Sequence, residues 1–149
     1  MDQIQVRWSA NRQFVAWDEA GHTVVMDAMP EFKGESAGMR PLQVFLSALA
    51  GCSAMDIVSI LEKKRQDVRD IEVRVEGEQR AEEFPRIYTH INVDYTVTGY
   101  QVSPDAVARA IELSIEKYCS VAGMLSSDVK LTTSFSVREA PAPRHSADS

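Results

Sequence analysis

The sequence predicts an α+β fold in the order β-β-β-α-β-β-α-β. Two groups of alternating segments flank one long apolar segment, and a capped amphipathic stretch precedes the last strand. Residues 3–9, 12–18 and 22–28 open the chain as three short strands. Ile4, Val6 and Trp8 alternate with polar neighbours, and "SAN" and "EAG" supply the turns between them. A loop follows, "MPEFKGESAGM", punctuated by Pro30, Gly34 and Gly38. Pro41 suits the first turn of a helix over residues 42–65, and its "EKKR" end complements the helix dipole.

Ile71, Val73 and Val75 then alternate with Glu72, Arg74 and Glu76. Ile91, Val93, Tyr95 and Val97 do the same among polar partners, so the two runs read as a hairpin joined by "RAEEFP". Ser103 as N-cap and Pro104 at the first helical position start a second helix, with Val107, Ile111, Leu113 and Ile115 as its apolar side. "CSVAGML" adds a further helical turn before a last strand, "VKLTTSFSV". The reading is one domain over residues 1–138 and a flexible tail over 139–149, "APAPRHSADS" within it having no apolar face to bury.

Composition excludes several classes. The chain of 149 residues carries a net charge of −6, so no basic surface announces a nucleic acid. Two cysteines are too few for a secreted disulfide framework and match no zinc spacing, and His22, His90 and His145 pair with neither, so no metal is expected. The N-terminus lacks the basic start and apolar core of a signal peptide. Residues 42–61 are about long enough to span a bilayer, but Gln43, Ser47, Ser53, Asp56 and Ser59 interrupt them. A buried helix of a cytoplasmic protein, without membrane association, is the better reading.

That helix contains "ALAGCSAMDIVSIL", residues 48–61, which is apolar on nearly every side. One sheet covers only one face of such a helix, and a second copy of the chain supplies the other layer most simply, so a homodimer is expected. Within it lie Cys52 and, one turn later, Asp56. A lone carboxylate there repels a thiolate. If Asp56 grips an arginine, it aids the thiolate instead; otherwise it bonds a backbone group or a basic residue of the dimer interface. Cys52 by itself reads as a small buried hydrophobe. Cys119, where one helix ends and another turn begins, reads as a thiol whose anion a helix start stabilises, or as a capping or core position. Trp8, Phe14 and Trp17 read as core or interface aromatics.

Two segments, "RPLQVFLSALAGCSAMDIVSILEKKR" at 40–65 and "IEKYCSVAGML" at 115–125, together with the strand order, resemble the OsmC/Ohr family of thiol-dependent hydroperoxide reductases. The likeness is nearest to an OsmC-like branch with a "GGC-[ST]-A-x-D" type of segment, and it runs from about residue 1 to 138. The resemblance implies antiparallel sheets wrapped around central helices in an intertwined homodimer. It makes Cys52 the thiol that attacks the peroxide and Cys119 the one that resolves the product as a disulfide. It also implies a small hydroperoxide substrate, an external dithiol reductant and no bound cofactor. The family's helix start resembles "P-E-Q-L-F", its glutamate holding an arginine against the thiolate. Here Pro41, Gln43 and Phe45 match, Leu42 stands in the acid's place, and Arg12 is the nearest match to the arginine. Gln43 and Asp56 are the candidate binding residues. Three readings stay open: a hydroperoxide reductase, a dimer that binds a small apolar ligand, and a redox sensor.

Overall fold

A computed structural model describes residues 1–143. The described residues group into two compact units, Met1–Ser47 and a second from Ala48 onward, and helix α1 runs through the boundary. In the first unit β1 (Ile4–Ala10), β2 (Gln13–Asp18) and β3 (Thr23–Met26) form an antiparallel sheet in chain order. Asn11 turns β1 into β2 with φ of 46°, in the left-handed region that asparagine tolerates. Asp18 shapes the next turn by accepting the N–H groups of Ala20 and His22 and pairing with the His22 ring at 2.7 Å. The side-chain bond to His22, reinforced by its backbone bond, lowers the Asp18 pKa. His22 thus belongs to the turn before β3, which begins at Thr23. The aromatics of this sheet are not core within one chain, since Trp8 is 63% exposed and Ile4, Val6 and Phe14 are exposed with it.

The loop after β3 is built around Asp27, which is buried and accepts N–H groups from Ala28, Glu35 and Ala37. These bonds, led by that from Ala37, hold its pKa below the ordinary carboxylate value. Gly34 is required here, because a Cβ would run into the carbonyl of Ala28.

Helix α1 (Pro41–Lys63) starts at Pro41, and Gln43 reaches back to accept the Arg40 N–H at 2.9 Å. Leu49, Ser53, Ile57 and Leu61, spaced four apart, are its buried stripe. Elsewhere the helix is half-buried to exposed, with Met55 72% exposed and Val58 40% exposed. By length and mean hydropathy of 2.0 it is able to cross a membrane. Its middle, however, is tied by Ser53 and Asp56 to other elements of the second unit.

In the second unit β4 (Asp67–Gln79) and β5 (Tyr88–Tyr100) form the long antiparallel hairpin, and β6 (Lys130–Glu139) completes the sheet on the other side of β5. An all-antiparallel arrangement holds for β1–β2–β3 and β4–β5, whereas β6 runs parallel to β5, from His90↔Lys130 to Gly99↔Glu139. The reason is the connection: the helical segment between β5 and β6 carries the chain back to the start of β5, as a parallel pair demands. On β5 one face buries Ile91, Val93, Tyr95 and Val97. The other presents His90, Asn92 and Asp94, which bond Thr132 and Ser134 of β6.

The second helical region is not continuous. Helix α2 (Pro104–Leu113), capped by Ser103 accepting the Ala106 N–H, gives way to a π turn at Ser114–Tyr118 and then to the short α3 (Ser120–Gly123). Residues expected in a free tail are tied to the sheet: Glu139 ends β6, Ala140 donates to the Gly99 carbonyl at 2.8 Å, and Arg69 holds the Pro141 carbonyl at 2.8 Å. His145 and the remainder of the tail lie outside the described residues.

Candidate active site

Cys52 sits on the fourth turn of α1, next to Ser53 of the buried stripe, and is half-buried. Cys119 follows the π turn and is 4% exposed. The two thiols are free, and they lie near enough for Cys52 to influence the Cys119 thiol. Burial is the main cause that pushes the Cys119 pKa up, and a hydrogen bond and a charge interaction with Cys52 push it further. The Ala122 N–H, at 3.4 Å from the Cys119 sulfur, pulls the other way. Cys119 is thus the cap of α3, as its position suggested, but the stabilisation a helix start gives is outweighed by burial and by Cys52.

A set of hydroxyls surrounds the pair. Ser53 Oγ lies 2.7 Å from the Tyr95 hydroxyl, both fully buried. Ser53 also donates to the Ala50 carbonyl at 3.3 Å, which leaves Tyr95 as donor to Ser53. Tyr95 belongs to the same cluster: burial raises its pKa, the bond to Ser53 opposes this, and the charges of Cys119 and Asp56 add to the rise. Ser114, the first residue of the π turn and fully buried, donates to Asp56 Oδ2 at 2.9 Å and faces the Ser53 carbonyl at 3.3 Å. Its own carbonyl accepts the Cys119 N–H at 2.7 Å, an i→i+5 bond that defines the turn.

Among the described residues, the hydrogen bond given to Asp56 therefore comes from a serine hydroxyl, and from neither an arginine nor a backbone group. A buried hydroxyl on the facing segment satisfies the carboxylate locally. Asp56 also lines a cavity of about 350 Å³ with Ser59, Ile60, Lys63, Lys64, Leu113 and Tyr118. Gln43 serves the helix start, and Arg12 donates to the Asn11 carbonyl at 3.1 Å in the first unit. Among the described residues no group of three or more His, Cys, Asp or Glu is arranged to hold a metal ion.

Sequence reading missed Ser53, Tyr95 and Ser114. A signal existed for Tyr95, which falls on the apolar side of β5, where a tyrosine hydroxyl must find a partner. None marked Ser114, because a π turn has no sequence signature as sharp as a cap.

Chemically, the arrangement offers one half-buried thiol, one buried thiol near it, and a buried hydroxyl network that ties together the segments carrying them. That is a pair able to pass between dithiol and disulfide. Residues 33–134 match the family model described as OsmC-like protein. The chain is 47% identical over 135 residues to protein YhfA of Escherichia coli K12, covering 91% of this chain and 97% of that one. A solved structure of a hypothetical protein from Aquifex aeolicus superposes with a TM-score of 0.82 at 30% identity, covering 95% of this chain and 98% of the other. An organic hydroperoxide resistance protein OsmC from Legionella pneumophila shares the fold with a TM-score of 0.71 at 16% identity, covering 92% and 97%.

Proposed function

The chain belongs to the family of OsmC-like proteins, and from that premise we propose that it is a thiol-dependent hydroperoxide reductase. The observation that carries the proposal is the proximity of two free cysteines, one half-buried and one buried, from distant parts of the sequence, close enough that Cys52 raises the Cys119 pKa. Exposure divides the roles, and burial raises the proton affinity of Cys119. Cys52 is the thiol a peroxide reaches, and Cys119 is the one whose proton is held.

Cys52 as the thiolate attacks the distal oxygen of a hydroperoxide. The O–O bond breaks with both electrons going to the departing oxygen, which takes the proton released by the thiol and leaves as an alcohol. Cys52 becomes a sulfenic acid. Cys119 then attacks that sulfur, its proton leaves with the hydroxide as water, and a disulfide remains. An external dithiol reopens it by exchange, giving up two electrons and two protons. Organic hydroperoxides are the preferred class, a reading supported by the fold shared with a protein described as conferring resistance to them.

The working unit is a homodimer in the cytoplasm. Support for the dimer comes from the exposed apolar side chains Met55 and Val58 of α1, which line a groove of about 510 Å³ together with Val68 and Ile71 of β4 and a charged rim that includes Glu62, Arg69 and Asp70. Arg12 is the candidate to support the thiolate, and Leu42, in place of the family's acid, is the feature that favours a second reading. In that reading the same dimer binds a small apolar ligand. Consumption of tert-butyl hydroperoxide in the presence of a dithiol separates the two. The reductase consumes it catalytically and loses that activity in Cys52→Ser, whereas a binding protein leaves the peroxide untouched.

A further inference from the structure

Ser114 is joined to both cysteine-bearing segments at once. Its hydroxyl is fastened to Asp56 on α1, one helical turn from Cys52, and its carbonyl fixes the Cys119 N–H across the π turn. The connections close a ring: Cys52 to Asp56 along α1, Asp56 to Ser114, Ser114 to Cys119 along the π turn, and Cys119 back to Cys52. An ordinary α-helix continuing from α2 would place Cys119 differently, since each π turn inserts an extra residue and rotates the chain beyond it. The turn therefore sets where the second sulfur lies, and the Asp56–Ser114 bond is the side-chain anchor that ties it to the helix bearing the first.

We propose that Asp56 is a positioning residue, acting through the Ser114 hydroxyl to hold the π turn so that the Cys119 sulfur stays against Cys52. The inference rests on the reading of the two cysteines as a working redox pair, and it accounts for a carboxylate beside a thiol that it would otherwise repel. Anchoring both sulfurs removes the freedom that closing the disulfide would otherwise cost. The carboxylate works here as a hydrogen-bond acceptor, a task a neutral amide oxygen also performs.

The test is the equilibrium of the reduced protein with glutathione and glutathione disulfide, read by mass spectrometry. Forming one Cys52–Cys119 bond releases two electrons and two protons, which convert glutathione disulfide into two glutathione thiols, so no peroxide is involved. The wild type and Asp56→Asn are expected to have similar disulfide equilibrium constants. Asp56→Ala and Ser114→Ala are each expected to fall about tenfold, and the double variant no further than either single one.

Asp56→Ala and Ser114→Ala at the wild-type value would overturn the proposal. So would additive losses, which would mean that the two residues do not act through one another. A fall in Asp56→Asn equal to that in Asp56→Ala would overturn it as well, by assigning the effect to charge. If Asp56→Ala does not fold, Ser114→Ala and Asp56→Asn decide by the same values. Peroxide consumption by the wild type is measured separately. Its absence would remove the reductase reading and leave the anchoring result standing.

Discussion

The Tyr95 hydroxyl donates to Ser53 Oγ at 2.7 Å with both side chains fully buried, and this bond pins the middle of α1 to the central strand β5. Because Ser53 keeps a second acceptor in the Ala50 carbonyl, the two partners are not equivalent. Tyr95→Phe removes a donor and strands nothing, so it should cost about 0.5–1.5 kcal/mol. Ser53→Ala strands the tyrosine hydroxyl and should cost about 1–3 kcal/mol. The double variant should be more stable than Ser53→Ala alone. Urea denaturation of the four proteins checks the order.

Alkaline conditions should weaken the reduced protein. Cys119 and Tyr95 both have pKa values raised by burial above their ordinary values of 9.0 and 10.0. A group that binds its proton more tightly when folded contributes stability in full below its unfolded pKa. That contribution is lost as pH rises through the folded value. Urea midpoints should therefore decline from about pH 9 upward. The decline should be shallower in Cys119→Ser and in Tyr95→Phe. Parallel slopes in all three would mean that neither group is responsible.

The uncovered apolar faces predict a dimer that does not come apart while folded. Sedimentation at micromolar concentration should show one species of twice the chain mass. Met55→Glu, which sets a charge on the most open apolar position of α1, should shift it toward the monomer. A wild-type monomer that is stable and folded would contradict this.

Leu42 stands where the family's acid holds an arginine. If that acid steadies the cation beside the thiolate, Leu42→Glu should raise the rate of peroxide reduction by up to about tenfold, the effect of lowering a thiol's pKa by one unit. An unchanged or lower rate in a folded variant would show that the pairing does not apply to this chain.

The elements that carry strong local signals were legible in the sequence. Ser103 and Pro104 mark the start of α2, the alternation from Ile91 to Val97 gives β5, and "ALAGCSAMDIVSIL" gives an apolar helix. Strand direction was not legible, because the alternation on β6 is the same whichever way it runs against β5. The π turn was hidden for a related reason: Ile111 and Ile115 keep an apolar spacing through a segment whose hydrogen bonds have already changed. The two cysteines were singled out by residue type and by family resemblance. Their hydroxyl surroundings were not, since Ser53 and Ser114 look like ordinary helix interruptions until the fold brings Tyr95 and Asp56 to them.

The account depends most on Cys52 and Cys119 acting as one redox pair, and mass spectrometry after one equivalent of tert-butyl hydroperoxide tests it most directly. The folded wild type should lose two hydrogens through a single Cys52–Cys119 disulfide within the chain. Cys119→Ser should stop at a trappable Cys52 sulfenic acid that excess peroxide oxidises further, and Cys52→Ser should not react. Two free thiols remaining in the folded wild type would contradict the account.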